Sequence, residues 1–442
     1  MNRPHFPVLF GTSGLAPRFI HTVFGDRYVP CQLDRVEDVA EYRPGGFHPV
    51  NIGDEFADGR YKILHKLGFG GSSTVWLARD QRCIGMRRYG KLVVVKALRA
   101  DISSVNYPDL VVARLLQQSQ PSNSLRIIDD HFVVDGPNGS HEFLVSALAG
   151  PSVRAMLDFP ERRRLRADLA RKIAAQAACA LERIHCAGFV HGDFTTSNLL
   201  FQLSDHATEW SDHEVYEYFG VPVTDTVRTC NGEPVGPHAP SQLIEAIDHS
   251  MFMETHLLQE DIMAIDFGQA YAILDPPKDY RPNAMLSYMS PEAFFELRAG
   301  PEADVWALGC AIFEIRAGFP LFDYFFPSST EILTHIVTTL GRLPNPWWDA
   351  FKNQAQFDED GLPKKNTNLV VSSIRDQLCS LGTSDEILTS NERMLFEVSE
   401  MRMDGKEVDL LVDLLGKMMR YRPEDRIEIR EVVNHAWFKF SW

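Results

Sequence analysis

The hydrophobic pattern of the chain changes character about a third of the way along. Three short apolar runs come first: Tyr61-Lys62-Ile63-Leu64-His65-Lys66-Leu67, Ser73-Thr74-Val75-Trp76-Leu77-Ala78 and Leu92-Val93-Val94-Val95-Lys96-Ala97-Leu98. Their length and their β-branched and aromatic content predict strands, the first two joined by a glycine-rich turn. Glu142-Phe143-Leu144-Val145 reads as another strand. From Leu165 to His185 apolar residues recur at helical spacing among many alanines, and helical patterns return around Asp304 to Ala317 and from Val408 onward. A β-rich front followed by an α-rich back predicts an α+β chain with a cleft between two lobes.

Two stretches lack such periodicity. Residues 1–50 hold Pro4, Pro7, Pro17, Pro30 and the run Arg43-Pro44-Gly45-Gly46, and read as an irregular N-terminal extension. Residues 201–259 gather Pro222, Pro234, Pro237 and Pro240, and read as an insertion. The expected organisation is an extension over 1–50, a first lobe over 51–150, and a second lobe over 151–442 interrupted at about 201–259.

Composition narrows the classes. A formal net charge of −16 opposes general affinity for phosphate backbones, so no direct nucleic-acid partner is expected, and basic protein partners fit better. The bland alternative is an acidic surface that serves solubility. Seven cysteines are scattered without a Cys-x-x-Cys spacing, which favours a reducing compartment and predicts no zinc site. No apolar run is long enough to cross a bilayer, so no membrane association is expected, and the chain is expected inside the cell, in cytoplasm or nucleus, as a monomer. Residues 1–25 carry Arg3, Arg18 and no acid; this is compatible with a mitochondrial transit peptide, against an ordinary flexible arm.

Chemistry concentrates in four places. The segment Leu67-Gly68-Phe69-Gly70-Gly71-Ser72-Ser73-Thr74-Val75 sets glycines between strands, where small residues let main-chain N–H groups approach phosphate oxygens, although glycines in a hairpin also serve the turn alone. Lys96 follows at a spacing that lets an ammonium reach the phosphates of a nucleotide under that turn. Then come His191-Gly192-Asp193-Phe194-Thr195-Thr196-Ser197-Asn198 and, later, Asp266-Phe267-Gly268. Phosphoryl transfer needs a carboxylate to orient the attacking hydroxyl and oxygen donors to hold magnesium; Asp193 suits the first task, Asn198 and Asp266 the second. Taken singly, each is as readily a turn or cap residue.

With these residues in order, the chain resembles the eukaryotic protein kinases from about Tyr61 to Trp437. Ser290-Pro291-Glu292, Asp304-Val305-Trp306-Ala307-Leu308-Gly309 and Arg426 resemble the helical-lobe scaffold of that family, with Arg426 expected to pair with Glu292. Within it, Glu41-Tyr42-Arg43-Pro44-Gly45-Gly46-Phe47-His48-Pro49-Val50, Gly150-Pro151-Ser152 and Asp266-Phe267-Gly268-Gln269 resemble the SR-protein kinases of the fungal type. The resemblance implies a bilobal fold with a small β-rich N-lobe and a large helical C-lobe. It also implies ATP and Mg2+ as cofactors and transfer of phosphate to serine in basic, Arg/Ser-rich proteins. The connection between lobes puts Ser146 at the back of the adenine pocket beside Leu148, where a small residue leaves room for bulky ligands.

Three positions and one loop depart from the family pattern. Asp109 stands where a glutamate pairs with the strand lysine, so the pair is expected through a shifted helix, through water, or not at all. Thr195 replaces a lysine that contacts the transferred phosphate, and Gly192 replaces an arginine that binds a phosphorylated activation loop. The loop from Asp266 to Glu292 offers Ser287, Tyr288 and Ser290 but no evident threonine phosphosite. Two other readings follow. A pseudokinase would keep the fold and transfer poorly, while a small-molecule phosphotransferase shares the His-Gly-Asp-x-x-x-x-Asn pattern but generally lacks the downstream motifs.

Overall fold

The computed structural model describes residues 27–440 apart from 83–89, 105, 120–123, 127, 159–163, 249–256, 324–327, 352, 384–394 and 398–399. The proposed transit peptide and Cys83 therefore lie outside the described residues.

The front of the chain forms a six-stranded antiparallel sheet. Its strands are β1 (Glu55–Phe56), β2 (Tyr61–Phe69), β3 (Ser73–Asp80), β4 (Leu92–Leu98), β5 (Asp130–Gly136) and β6 (Gly139–Ala147), in the order β1-β2-β3-β4-β6-β5. Helix α1 (Pro108–Ser119) lies between β4 and β5 in the chain. The register pairs Val75 with Lys96, Lys96 with Leu144, and Val94 with Ser146. Alternation then sets one face: Ser73 and Val75, Val94 and Lys96, Leu144 and Ser146 share it, whereas Thr74 points the other way and accepts a 2.9 Å hydrogen bond from Trp76 Nε1.

The back is helical. After α2 (Val153–Leu157), α3 (Ala167–Cys186) runs for 20 residues and packs against α7 (Pro301–Ala317). Alanines 170, 174, 177, 178 and 180 of α3 are buried, so the helix presents little bulk and its neighbours come close. Helix α7 is buried on every side from Asp304 to Ala317 and ends at Gly318, which takes the left-handed conformation at φ 82°. A Cβ at Gly309 would lie 2.3 Å from Met419 Cε and 3.3 Å from Met418 Cβ, so this glycine admits the end of α11 (Gly405–Met418). Helices α8 (Ser329–Leu340), α9 (Trp347–Ala350), α10 (Ile374–Cys379) and α12 (Ile429–Val432) complete the lobe, after α6 (Pro291–Glu296).

Two strand pairs bracket the chemistry-bearing loops. Strand β7 (Phe189–Val190) pairs with β12 (Tyr271–Ala272), and β8 (Leu199–Leu203) with β11 (Leu258–Ala264). The loop 191–198 and the turn after β11 thus emerge side by side.

Among the described residues, the two aperiodic stretches are packed layers, not loose connections. Residues 205–248 contain α4 (Asp205–Thr208), α5 (Asp212–Phe219), β9 (Thr224–Thr226) and β10 (Gln242–Ile244). Ala207, Trp210, Val215, Phe219 and Ile247 join Leu64, Leu67, Leu77, Leu92 and Val94 of the sheet in one apolar cluster. Tyr28, Tyr42 and Phe47 of the extension cluster with Val227, Ala239 and Leu243. Isolated aromatics build these contacts, which is why no period announces them.

Candidate active site

A cavity of about 340 Å³ opens between the sheet and the helical lobe. Of the residues expected to hold a nucleotide, Leu67, Gly68, Phe69, Gly70, Ser72, Ser73, Val75, Lys96 and Ser146 line it, as does Asp266. Gly71, Thr74 and Leu148 do not: Thr74 is turned away by strand alternation, and Leu148 packs into the apolar cluster beside Leu77 and Val94. The glycines of the roof are not spent on the turn. Gly68, Gly70 and Gly71 have no positive φ, and a Cβ added to any of them meets nothing within 4 Å. The fold itself places nothing against these glycines, so the roof is open to close approach by a ligand.

Lys96 projects from β4 into this cavity. Its Nζ lies 2.5 Å from Asp109 Oδ2 and 3.0 Å from Asp266 Oδ1. Burial opposes its charge, but the two carboxylates outweigh that and hold its pKa above the usual lysine range. Asp109 is in the first turn of α1, where the helix dipole favours an anion, and its second oxygen accepts the N–H of Phe267. The acid thus ties the strand lysine to the turn that carries Asp266. Asp266 itself takes φ 64°, an unusual conformation for a non-glycine residue that this hydrogen bond helps to hold.

The loop 191–198 is clamped from below. Asp304 accepts hydrogen bonds from the main-chain N–H of His191 at 2.7 Å and of Gly192 at 2.9 Å, and lies 2.9 Å from His185 Nε2. Gly192 has φ 81°, and a Cβ there would meet Gln269 O at 2.7 Å, so the backbone rejects the family arginine. Thr195 is buried at 2% exposure, and Thr196 joins Tyr288 and Glu314 in a buried hydroxyl–carboxylate network that Arg154 completes. Asn198 donates its amide to the Asp193 carboxylate at 3.0 Å and to the Asp193 carbonyl at 2.8 Å. That fixes the amide nitrogen inward and leaves the amide oxygen as its donor toward a cation.

The two carboxylates are pushed apart in acidity. Burial raises the Asp193 carboxyl above its ordinary range, with the Asp266 charge adding to it. The Lys96 ammonium lowers Asp266, against its burial. One acid is thus shifted toward accepting a proton and the other toward staying charged. Asp266 and Asn198 offer two hard oxygen donors, the small protein share usual for Mg2+, which takes its other ligands from phosphates and water.

Beyond the expected set, the cavity is lined by Val94, Ala113, Arg126, Ile128, Leu144 and Phe267, among others. Arg126 is the unexpected one. Its main chain bonds Ala264 O at 2.9 Å, and its Nη2 lies 3.4 Å from Ala147 O. Burial lowers its pKa, and the charges of Asp109 and Asp266 work against that. Only alternation along β4 and β6 could have signalled Val94 and Leu144; Arg126 and Ile128 sit in a connection with no motif.

Farther out, the Arg426 guanidinium grips Glu292 with two hydrogen bonds of 2.6 Å and lies 5.1 Å from the Trp306 ring centroid. Ser287, Tyr288 and Ser290 are all buried, so none is open to a modifying enzyme in this conformation. No helix among the described residues is long and apolar enough to cross a membrane.

Comparison with known proteins agrees with this geometry. The family model for the protein kinase domain matches residues 251–438. The serine/threonine-protein kinase SKY1 of Saccharomyces cerevisiae is 32% identical over 184 residues, which cover 40% of this chain and 24% of that protein. The serine/threonine-protein kinase SRPK of Physarum polycephalum is 23% identical over 414 residues, 91% of each chain, and the SRSF protein kinase 3 of Homo sapiens is 31% identical over 188 residues, 39% of this chain and 32% of the human one. The chain thus spans about a quarter of the yeast relative and nearly all of the Physarum one. Over residues 251–438 the chain is thus similar to the protein kinase domain, and together with the two-lobed fold these matches make it similar to serine/threonine kinases of the SR-protein type.

Proposed function

We propose that this chain transfers the γ-phosphoryl group of ATP to serine hydroxyls in Arg/Ser-rich proteins. The observation that carries the reading is the convergence of Lys96, Asp109 and Asp266 on a glycine-roofed cavity, with Asp193 and Asn198 joined beside it. In this reading the roof from Leu67 to Val75 and Lys96 hold the phosphates. Asp193 orients the serine hydroxyl and accepts its proton as the new oxygen–phosphorus bond forms and the bond from the γ-phosphorus to the bridging oxygen breaks, releasing ADP. Asp266 and the Asn198 amide oxygen hold magnesium, which when bound offsets the charge on the phosphate oxygens. The net charge of −16 suits a basic peptide, and the names of the SR-type relatives support that substrate class. The lobes divide near Gly150, and residues 205–248 form an accessory layer on the N-lobe side.

A pseudokinase reading keeps one argument. Thr195 is buried and neutral where the resembled family has a lysine, so any cation that assists transfer must come from elsewhere. Incubation of the protein with Mg-ATP and an Arg/Ser-repeat peptide, beside Asp193→Asn, decides. Label with the wild type and little with the variant is expected. Equal label with both, or none with either while nucleotide binds, overturns the active reading.

A further inference from the structure

The rear of the cavity holds a charge that phosphate transfer does not use. Ala147 of β6 lies beside Val93, three residues before Lys96 on β4, because Lys96 pairs with Leu144 and Val93 with Ala147, so roughly 10 Å separates the phosphate end from the end at Ala147. A nucleotide with its phosphates at Lys96 therefore brings its base to Ser146 and Ala147. Ser146 is small and leaves room there, and Arg126 crosses that room, lining the same cavity and reaching Ala147 O at 3.4 Å. Arg126 Nε is buried and meets no hydrogen-bond partner among the described residues. Leu144, Ile128, Ala113 and Phe267, also in the lining, offer it no acceptor side chain; Asp109 and Asp266 line the same cavity and act on its charge, but both pair with Lys96, and Asp109 also accepts the Phe267 N–H.

We propose that Arg126 makes the rear of this cavity an acceptor-selective subsite, favouring base-end substituents that carry a carboxylate and rejecting neutral bulky ones. The guanidinium has donors only. A carboxylate reaching it forms charge-assisted hydrogen bonds in a place with little water, whereas a neutral ring of the same size buries the charge without pairing it. The space beside Ser146 is thus chemically restricted although sterically open. This inference rests on the nucleotide reading of the cavity.

Binding of ATP, N6-benzyl-ATP and N6-(4-carboxybenzyl)-ATP to the full chain tests it, with each analogue's Kd divided by the same protein's Kd for ATP. The wild type is expected to prefer the carboxybenzyl analogue over the benzyl one by roughly tenfold to a hundredfold. Arg126→Met is expected to reverse that order. If Arg126→Met fails to fold by circular dichroism, Arg126→Lys carries the test, and it is expected to keep a preference for the acid. An equal or better fit of the benzyl analogue to the wild type, an unchanged ratio in Arg126→Met, or loss of the preference in a folded Arg126→Lys overturns the proposal. Failure of every form to bind ATP overturns the nucleotide reading itself, and this inference with it.

Discussion

Lys96 and Asp109 pair directly, Nζ to Oδ2 at 2.5 Å, although the acid is one methylene shorter than the glutamate expected opposite that lysine. The sequence led to a choice between a shifted helix, a bridging water and no pair; the structure has the direct contact. Placing the acid in the first turn of α1 brings its carboxylate close enough, and the Phe267 N–H holds its other oxygen. The shorter side chain also has fewer rotamers to lose.

Asp109→Asn should therefore act on nucleotide binding more than on folding. Lys96 keeps Asp266 at 3.0 Å, so the loss of stability should be about 2 kcal/mol, below the cost of fully orphaning a buried charge. Freed from the helix, the ammonium follows Asp266, and the KM for ATP should rise about tenfold with a smaller change in kcat. Steady-state kinetics with varied ATP checks this; an unchanged KM would remove Asp109 from phosphate positioning.

The opposed shifts of Asp193 and Asp266 set the acid limb of activity. Asp193 must be ionised to accept the hydroxyl proton, and burial raises its pKa, so activity falls as pH drops through that raised value. Asp266, lowered by Lys96, is already charged there and adds no limb. The profile of kcat against pH should fall on the acid side above the ordinary carboxylate range near 4. A limb at about 4 or below would assign the base elsewhere.

How much of this was legible differs by residue, for physical reasons. Strands β2, β3 and β4 and helices α3, α7 and α11 follow from periodicity, because each buries one regular face or is buried throughout. Lys96, Asp193, Asn198 and Asp266 stood out because phosphoryl transfer demands those groups in that order. Thr74 was misassigned although alternation from Val75 would have turned it away from the cavity. Arg126 had no local signal, since its importance comes from the smallness of Ser146, which is twenty residues away in sequence and on a different element. The packing of Trp210 and Phe219 on the sheet was invisible for the same reason: scattered aromatics acquire a partner only in three dimensions.

His48 gives the N-lobe a pH-dependent stability. It is buried against Phe56, His141 and Phe143, and burial, with His141 beside it, lowers its pKa from 6.5 to about 4. The unfolded chain binds a proton below about 6.5 that the folded chain refuses until about 4, so this contribution is whole above pH 6.5 and lost as pH falls toward 4. The loss amounts to about 3 kcal/mol. Urea denaturation across that range should show His48→Leu losing correspondingly less stability than the wild type on acidification. Parallel curves for the two proteins would contradict the burial argument.

A buried ion pair ties the extension to the roof of the cavity. Lys66, on β2 just before Leu67 and Gly68, is fully buried; its ammonium pairs with the equally buried Glu37 and lies 5.3 Å from the Trp76 ring centroid. Tyr42 donates its hydroxyl to the same carboxylate. Burial lowers the Lys66 pKa, and Glu37 is the charge that chiefly restores it. Glu37→Leu removes that charge and should cost about 3–5 kcal/mol, whereas Glu37→Leu with Lys66→Met should recover most of it, because two apolar side chains need no pairing. The coupling in this double-mutant cycle, read by urea denaturation, should exceed about 2 kcal/mol. Because Lys66 anchors the strand that leads into Gly68, the single variant should also raise the KM for ATP, and the double variant should restore it. Additive effects on stability, with no recovery in the double variant, would mean that the extension is held to the sheet by its aromatic contacts and not by this ion pair.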